Sequence, residues 1–157
     1  MAAGHDPQPR RRGLPIQSGG GEIIPDLLFG LEYPGAGFRF FAVEIDRNTE
    51  SIERRNLGQS AFARKIEGYV TALRDQTYRN WWGLPNLHVL TVTTNATHAR
   101  KLVEYLRDHV PAQMQRRFAV AVDNTFGVDW RVPDAPLAHL LSEAWITIDG
   151  SRNLSVA

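Results

Sequence analysis

The sequence predicts an α/β fold in which a mixed β-sheet is flanked by helices, in the order β-β-α-β-α-β. Two apolar runs near the start are joined by a short segment rich in glycine and proline, and two segments with helical spacing follow, each succeeded by an apolar run. A short connection favours an antiparallel hairpin, whereas helical crossovers favour parallel pairing. The 157 residues are enough for one domain, and the 43% hydrophobic content permits a buried core.

The first 21 residues are expected to form a flexible basic tail or linker, and residues 22–157 a single α/β domain. The tail contains three consecutive arginines at 10–12 and three glycines at 19–21. Such a segment has too little apolar surface to offset the entropy lost on ordering. It could serve as a basic arm that reaches a phosphate backbone, or it could be a linker from a longer protein.

The elements of the domain follow from local pattern. Residues 23–31 and 38–45 are rich in apolar and aromatic side chains, and Tyr33–Gly37 between them supplies the proline and glycines that turns favour. Phe62, Ile66 and Tyr69 then recur at helical spacing after Ser60, a candidate N-cap residue. The same reasoning predicts the other elements: a helix at 61–75, a less regular stretch at 75–83, a strand at 87–93, a helix at 97–110, a strand at 118–122, a short helical segment at 137–143 and a strand at 144–148.

Three acidic residues lie where the predicted hairpin would bring them together. Asp26 lies within the first apolar strand, and Glu44 and Asp46 end the second. Side chains two residues apart on a strand point to the same face, so Glu44 and Asp46 converge, and the hairpin partner can bring Asp26 beside them. Clustered carboxylates repel one another unless a cation lies between them, and hard oxygen ligands suit Mg²⁺ or Mn²⁺. The alternative is that these acids are solvated side chains at strand ends.

Lys65 is the fourth candidate for a catalytic site. It lies on the helix that follows the acidic strand and shares a helix face with Tyr69, one turn later. A lysine in this place could orient a metal-bound water or stabilise the charge that develops on a phosphorane. The alternative is an ordinary solvated lysine on a helix surface.

Basic residues surround the proposed site, and their forked donors suit phosphate contacts. Segment 47–59 would form either a DNA-contacting flap or a solvated loop, and its glutamates favour the second interpretation as much as its arginines favour the first. The predicted DNA-binding residues are Arg47, Arg54, Arg55 and Arg64.

The segments IPDLLFGL, FRFFAVEIDRNTE and ARKIEGYV together resemble the PD-(D/E)XK nuclease superfamily. More narrowly, they are similar to the plasmid replication-relaxation family, whose members show an E-x-D-R strand end followed by a helix with K-x-x-x-Y. The resemblance covers residues 22–110. It implies a restriction-endonuclease-like core in a nuclease-like domain, with Asp26 and Glu44 as metal-site acids.

Two departures from this pattern bear on activity. The superfamily pattern has a lysine two residues after the second acid, where this sequence has Asp46. Lys65 is expected to substitute for it, as in superfamily members whose lysine lies on the neighbouring helix. Members of the replication-relaxation family also commonly have an N-terminal winged-helix-like DNA-binding region, which is not visible in this sequence.

The resemblance implies a metal-dependent DNA endonuclease or nickase that acts in plasmid or mobile-element replication and relaxation. Its expected cofactor is Mg²⁺ or Mn²⁺, and its expected partner is DNA. The oligomeric state is left open between a monomer and a homodimer, since such nucleases often pair to cut two strands. The alternative is a catalytically inactive nuclease-fold module that binds DNA or docks a partner. A membrane partner is not expected, and the predicted location is cytoplasmic.

The composition excludes several other kinds of site and classes of protein. The absence of cysteine excludes disulfides and thiolate metal sites, and no apolar run approaches the ~20 residues that span a bilayer. The net charge of +1 excludes a histone-like binder but permits a local basic face. Trp81 and Trp82 could stack on bases, although such a pair more often closes a core or a dimer interface. The histidines show no metal-ligand spacing.

Overall fold

The computed structural model of the chain describes residues 13–15, 22–47, 61–123 and 139–155. These residues form eight strands and five helices. The strands are β1 (Leu14–Pro15), β2 (Glu22–Ile23), β3 (Leu27–Tyr33), β4 (Gly37–Asp46), β5 (His88–Thr93), β6 (Phe118–Val122), β7 (Ala144–Thr147) and β8 (Gly150–Asn153). The helices are α1 (Ala61–Arg74), α2 (Thr77–Trp82), α3 (Ala96–His109), α4 (Ala112–Gln115) and α5 (His139–Ser142).

Strands β3 to β8 form one sheet, in which they lie side by side in sequence order. The central strands β4, β5 and β6 are parallel, and the outer pairs on both sides are antiparallel. Helices α1 and α2 connect β4 to β5, and α3 and α4 connect β5 to β6. The predicted α/β class, with a mixed sheet and flanking helices, is therefore confirmed.

The hairpin that the sequence predicted is formed by β3 and β4. Their register runs from Leu27 beside Val43 to Tyr33 beside Gly37. The turn is closed by the amide of Ala36, which donates to the carbonyl of Tyr33 at 2.9 Å. Gly37 has a φ of 78°, a left-handed conformation that residues with a side chain rarely adopt. This explains why the turn sequence is rich in glycine.

Each face of the sheet has its own apolar layer. On one face, Ala42 and Val89 pack in a cluster with residues of α1 and α3. On the other, Phe41 and Leu90 cluster with Trp145 from β7. Because strand side chains alternate between faces, the residues of β4 that follow Ala42 in steps of two point toward the helices. This parity puts the acids at the end of β4 on the helix face.

The start of the domain differs from the prediction. The sequence predicted a tail through residue 21, but Leu14 is fully buried in the core cluster that includes α1. Strand β1 pairs antiparallel with β2, and the amide of Gly13 donates to the carboxylate of Glu22 at 3.2 Å. One buried leucine among glycine, proline and arginine has no periodicity, so the pattern did not indicate this strand. The other predicted tail residues lie outside the described ranges.

Where the structure describes them, the other elements agree with the prediction to within two residues, except that the first predicted strand is divided into β2 and β3. Helices α2 and α4 and strand β8 are additions. The stretch predicted to be irregular contains α2, and β8 was not predicted because its sequence, GSRN, lacks β-branched and aromatic residues. In α2, Trp82 packs against the core cluster, and Trp81 is partly exposed. The predicted N-cap Ser60 lies outside the described residues. None of the described helices is both long and apolar enough to cross a membrane.

Candidate active site

The predicted site lies at the edge of the sheet where the parallel strands β4 and β5 end. In the register of these two strands, Glu44 lies beside Thr91 and Asp46 beside Thr93. The carboxyl ends of parallel strands are where α/β sheets usually bind ligands, because the helical connections diverge there. The chain thus places two acids where the fold class favours a functional site.

Glu44 is the centre of the arrangement. It is only 2% exposed, and both of its carboxylate oxygens are bonded by side chains of α1. The ammonium of Lys65 donates to Oε2, and the hydroxyl of Tyr69 donates to Oε1 at 2.6 Å. Lys65 and Tyr69 are four residues apart, so they project from one side of α1. Helix α1 therefore presents Lys65 toward the end of the sheet, as the predicted place of Lys65 in the site requires.

Asp26 approaches Glu44 from the hairpin partner. It lies in a bend immediately before β3, and not within the strand as the sequence analysis had it. Its amide donates to the carbonyl of Val43 at 3.0 Å, and its carboxylate accepts from the amide of Ile45 at 2.8 Å. These two bonds are made to the residues on either side of Glu44 in β4. The backbone thus orients the exposed Asp26 carboxylate beside the buried one.

The environment alters the protonation of both buried groups. Burial raises the pKa of Glu44 above its ordinary value of 4.5, the bonds from Lys65 and Tyr69 oppose that rise, and the charge of Asp26 adds to it. Burial and the negative charges of Glu44 and Asp26 raise the pKa of Tyr69 well above its usual range. Tyr69 therefore remains a protonated donor at neutral pH, and the two donors of α1 favour the charged form of Glu44 against the effect of its burial.

Asp46 makes a separate contact. Its carboxylate lies 3.0 Å from Nε2 of His98, in the first turn of α3. That turn begins at Asn95, whose side chain caps the helix by accepting from the amide of His98 at 2.8 Å. In the sequence, His98 is one of five histidines that show no metal-ligand spacing. Its location could have been predicted from the sequence, because His98 lies three residues after Asn95, a capping residue that follows a strand.

A divalent cation fits the donor chemistry of Asp26 and Glu44, but these two acids do not by themselves provide a complete set of metal ligands. Within the described part of the chain, no three histidine, aspartate or glutamate side chains converge as a metal-binding group. Each carboxylate oxygen has two lone pairs, so the bonds from Lys65 and Tyr69 leave capacity on Glu44. The two acids act on each other electrostatically, and Asp26 is exposed to solvent. Oxygen ligands of this kind suit Mg²⁺ or Mn²⁺, which keep several waters when bound by few carboxylates.

The predicted DNA contacts are placed only in part. Arg47, which follows β4, is half-buried, and Arg64 on α1 is exposed beside Lys65 in sequence. Arg54 and Arg55 lie outside the described residues, so their prediction has no structural counterpart. The structure thus brings Arg64 and Lys65 onto the helix that covers the site.

Comparison with known proteins found no significant match to this chain. No family model matches the chain, no curated protein is significantly similar to it, and no solved structure matches its fold significantly. The function must therefore be argued from the geometry of the site.

Proposed function

We propose that this chain is a metal-dependent DNA endonuclease or nickase whose site consists of Asp26, Glu44 and Lys65. The observation that supports it most is the bond from the Lys65 ammonium to Glu44, next to an Asp26 carboxylate held on the adjacent amide. Two carboxylates and a lysine at one sheet edge form the set that the resemblance to PD-(D/E)XK nucleases implies. Here the lysine comes from the helix and not from the strand.

The chain's residues would divide the chemistry between them. Asp26 and Glu44 would hold Mg²⁺ or Mn²⁺, which polarises a phosphoryl oxygen and lowers the pKa of bound water when present. Tyr69 fixes the orientation of Glu44 through its bond to Oε1. The ammonium of Lys65, whose side chain is about one-third exposed, can move from Glu44 toward a phosphate and stabilise its negative charge.

Asp46 belongs to the proposed site in a lesser role. Its bond to His98 ties the end of β4 to the start of α3, next to the strand position of Glu44. We propose that it supports the shape of the metal site more than it binds metal, because its bond directs the carboxylate toward α3, whereas Glu44 and Lys65 meet on the side of α1. Arg64 and Arg47 would contact the phosphate backbone, and the reaction would belong to plasmid or mobile-element DNA in the cytoplasm.

The decisive test is the conversion of supercoiled plasmid to its open circular or linear form in Mn²⁺. The wild type should convert plasmid, and Asp26→Asn should be at least about a hundredfold slower, because the change removes one of two charged ligands. Asp108→Asn is a matched control, since Asp108 is an exposed acid on α3. Equal background conversion by the wild type and Asp26→Asn would refute the enzymatic proposal.

A second candidate is an inactive nuclease-fold module that binds DNA. It is favoured by one specific observation: both oxygens of Glu44 are already bonded by protein donors, while Asp46 occupies the place of the pattern's lysine. In that case Arg64→Glu should weaken DNA binding and reduce the salt dependence of the affinity by about one charge, with no cleavage by any variant. Unchanged binding would count against it.

A further inference from the structure

A second group of functional side chains lies on the opposite face of the sheet from α1 and α3. Arg39 and Phe41 share one face of β4, and Phe41 lies beside His88 in the parallel register, with ring centroids 5.4 Å apart. Arg152 of β8 reaches the same place, because the turn after β8 brings the carbonyl of Leu154 to the hydroxyl of Tyr33. Together these residues line a small cleft that is partly open to solvent.

The charges around this cleft are almost all positive. Burial and the arginines at 152, 117, 39 and 116, in that order, lower the pKa of His88 to about 3, so its ring is neutral at pH 7. Burial, Arg39 and Arg117 lower the pKa of Arg152, and Tyr33 and Asp149 oppose them. Among the described residues, no ion pair within 4.0 Å involves Arg39, Arg117 or Arg152. Within the part of the chain that the structure describes, the cluster thus concentrates like charge without a close counter-ion.

Several donors in the cleft also lack an acceptor. Nη1 of Arg152 donates to the carbonyl of Arg116 at 2.8 Å, but its Nε and Nη2 are buried without a hydrogen-bond partner in the described part of the molecule. Nδ1 of the neutral His88 ring, which is a donor in one of its two tautomers, is likewise buried without a partner among the described residues. Arg39 stacks over the ring of Tyr33, with its guanidinium carbon 4.7 Å from the ring centroid, which orients it without neutralising it. Buried donors and repelling charges are both unfavourable, and one oxyanion relieves both.

We propose that this cleft is a binding site for a phosphate group, held by the guanidiniums of Arg152 and Arg39 with His88 beneath it. Arginine is the residue best suited to a tetrahedral oxyanion, because its planar fork offers two parallel donors. This site is independent of the proposed nuclease function, since it lies on the other face from Glu44.

The test measures thermal unfolding in rising concentrations of inorganic phosphate, against potassium chloride at matched ionic strength. The wild type should gain a saturable increase in melting temperature in phosphate, as a ligand that binds the folded state produces. Arg152→Gln and Arg39→Gln should each weaken the apparent affinity at least about tenfold. Arg79→Gln, an exposed arginine on α2, is the control and should respond like the wild type.

A local readout separates binding from a general effect on stability. Phosphate should shift the ring proton resonances of His88 in the wild type and leave them unchanged in Arg152→Gln. If Arg152→Gln does not fold, Arg39→Gln answers the same question, because Arg39 lies on a different strand. A short single-stranded oligonucleotide that displaces phosphate would identify a nucleic-acid strand as the source of the group, and its failure would identify the free ion.

Either source supports the site. Equal responses to phosphate by the wild type and both cleft variants, or equal responses to phosphate and chloride by the wild type, would overturn the proposal.

Discussion

Replacing Tyr69 with phenylalanine tests the buried bond at the centre of the candidate site. The change keeps a ring in a position that is 0% exposed and removes only the hydroxyl that donates to Glu44 at 2.6 Å. A hydrogen bond to a charged group contributes about 1.5–3 kcal/mol, whereas one between neutral groups contributes about 0.5–1.5 kcal/mol. The loss should therefore depend on whether Glu44 is ionised.

The sign of this pH dependence follows from the raised pKa of Glu44. At about pH 4 the folded-state carboxyl is protonated, since its pKa lies above 4.5, so Tyr69→Phe should cost only the neutral bond. At a higher pH, above that raised pKa, the ionised carboxylate loses a donor, and the cost should reach ~1.5–3 kcal/mol. For a chain of this size that lowers the melting temperature by about 3–12 °C.

Urea unfolding at both pH values measures the two free energies, provided that the slope with denaturant stays the same. Tyr105→Phe is the matched control, because the hydroxyl of Tyr105 is buried without a hydrogen-bond partner among the described residues. Removing it should cause no loss, or a small gain. Equal losses for Tyr69→Phe at both pH values, or no loss at the higher pH, would refute the reasoning.

Three further predictions concern stability. Wild-type stability should fall as pH rises through 4.5 toward the higher folded-state pKa of Glu44, since the folded state binds the extra proton there, and Glu44→Gln should flatten that slope in urea titrations. Leu14→Ala should cost about 2–5 kcal/mol by the same assay, because Leu14 is fully buried, whereas a loss below ~0.5 kcal/mol would exclude β1 from the core. Asp46→Ala should cost about 1–3 kcal/mol by leaving Nε2 of His98 without this partner. Asp46→Asn, which retains an acceptor, should cost less, and the reverse order would contradict the role given to that bond.

Much of the fold was predictable because its signals are local. The hairpin follows from two apolar runs around a glycine-rich turn, and α1 and α3 follow from apolar residues at helical spacing. The pairing of Glu44 with Lys65 could be predicted for the same reason. Once a strand ends in acids and a helix packs back on the sheet, a residue in the first turns of that helix lies near the strand end.

Other features depend on contacts between distant parts of the chain and had no local signal. Leu14 is buried through pairing with β2, which no periodicity in its own segment indicates. The bond from Tyr69 to Glu44 could be predicted only by knowing which face of α1 is turned toward the end of β4. From the sequence pattern alone, Tyr69 is predicted to be a core residue. The arginine cleft joins Arg39 to Arg152, which are more than a hundred residues apart, through an unpredicted last strand.

We propose that Asp26 and Lys65 act on one reaction through a shared site with Glu44. The most direct measurement is the rate of Mn²⁺-dependent plasmid nicking by Asp26→Asn, Lys65→Met and the double variant. Residues that act as a unit are strongly non-additive, so the double variant should be only a few-fold slower than the slower single variant. If the two losses multiply instead, or if Lys65→Met nicks plasmid as fast as the wild type, the account of the site is contradicted.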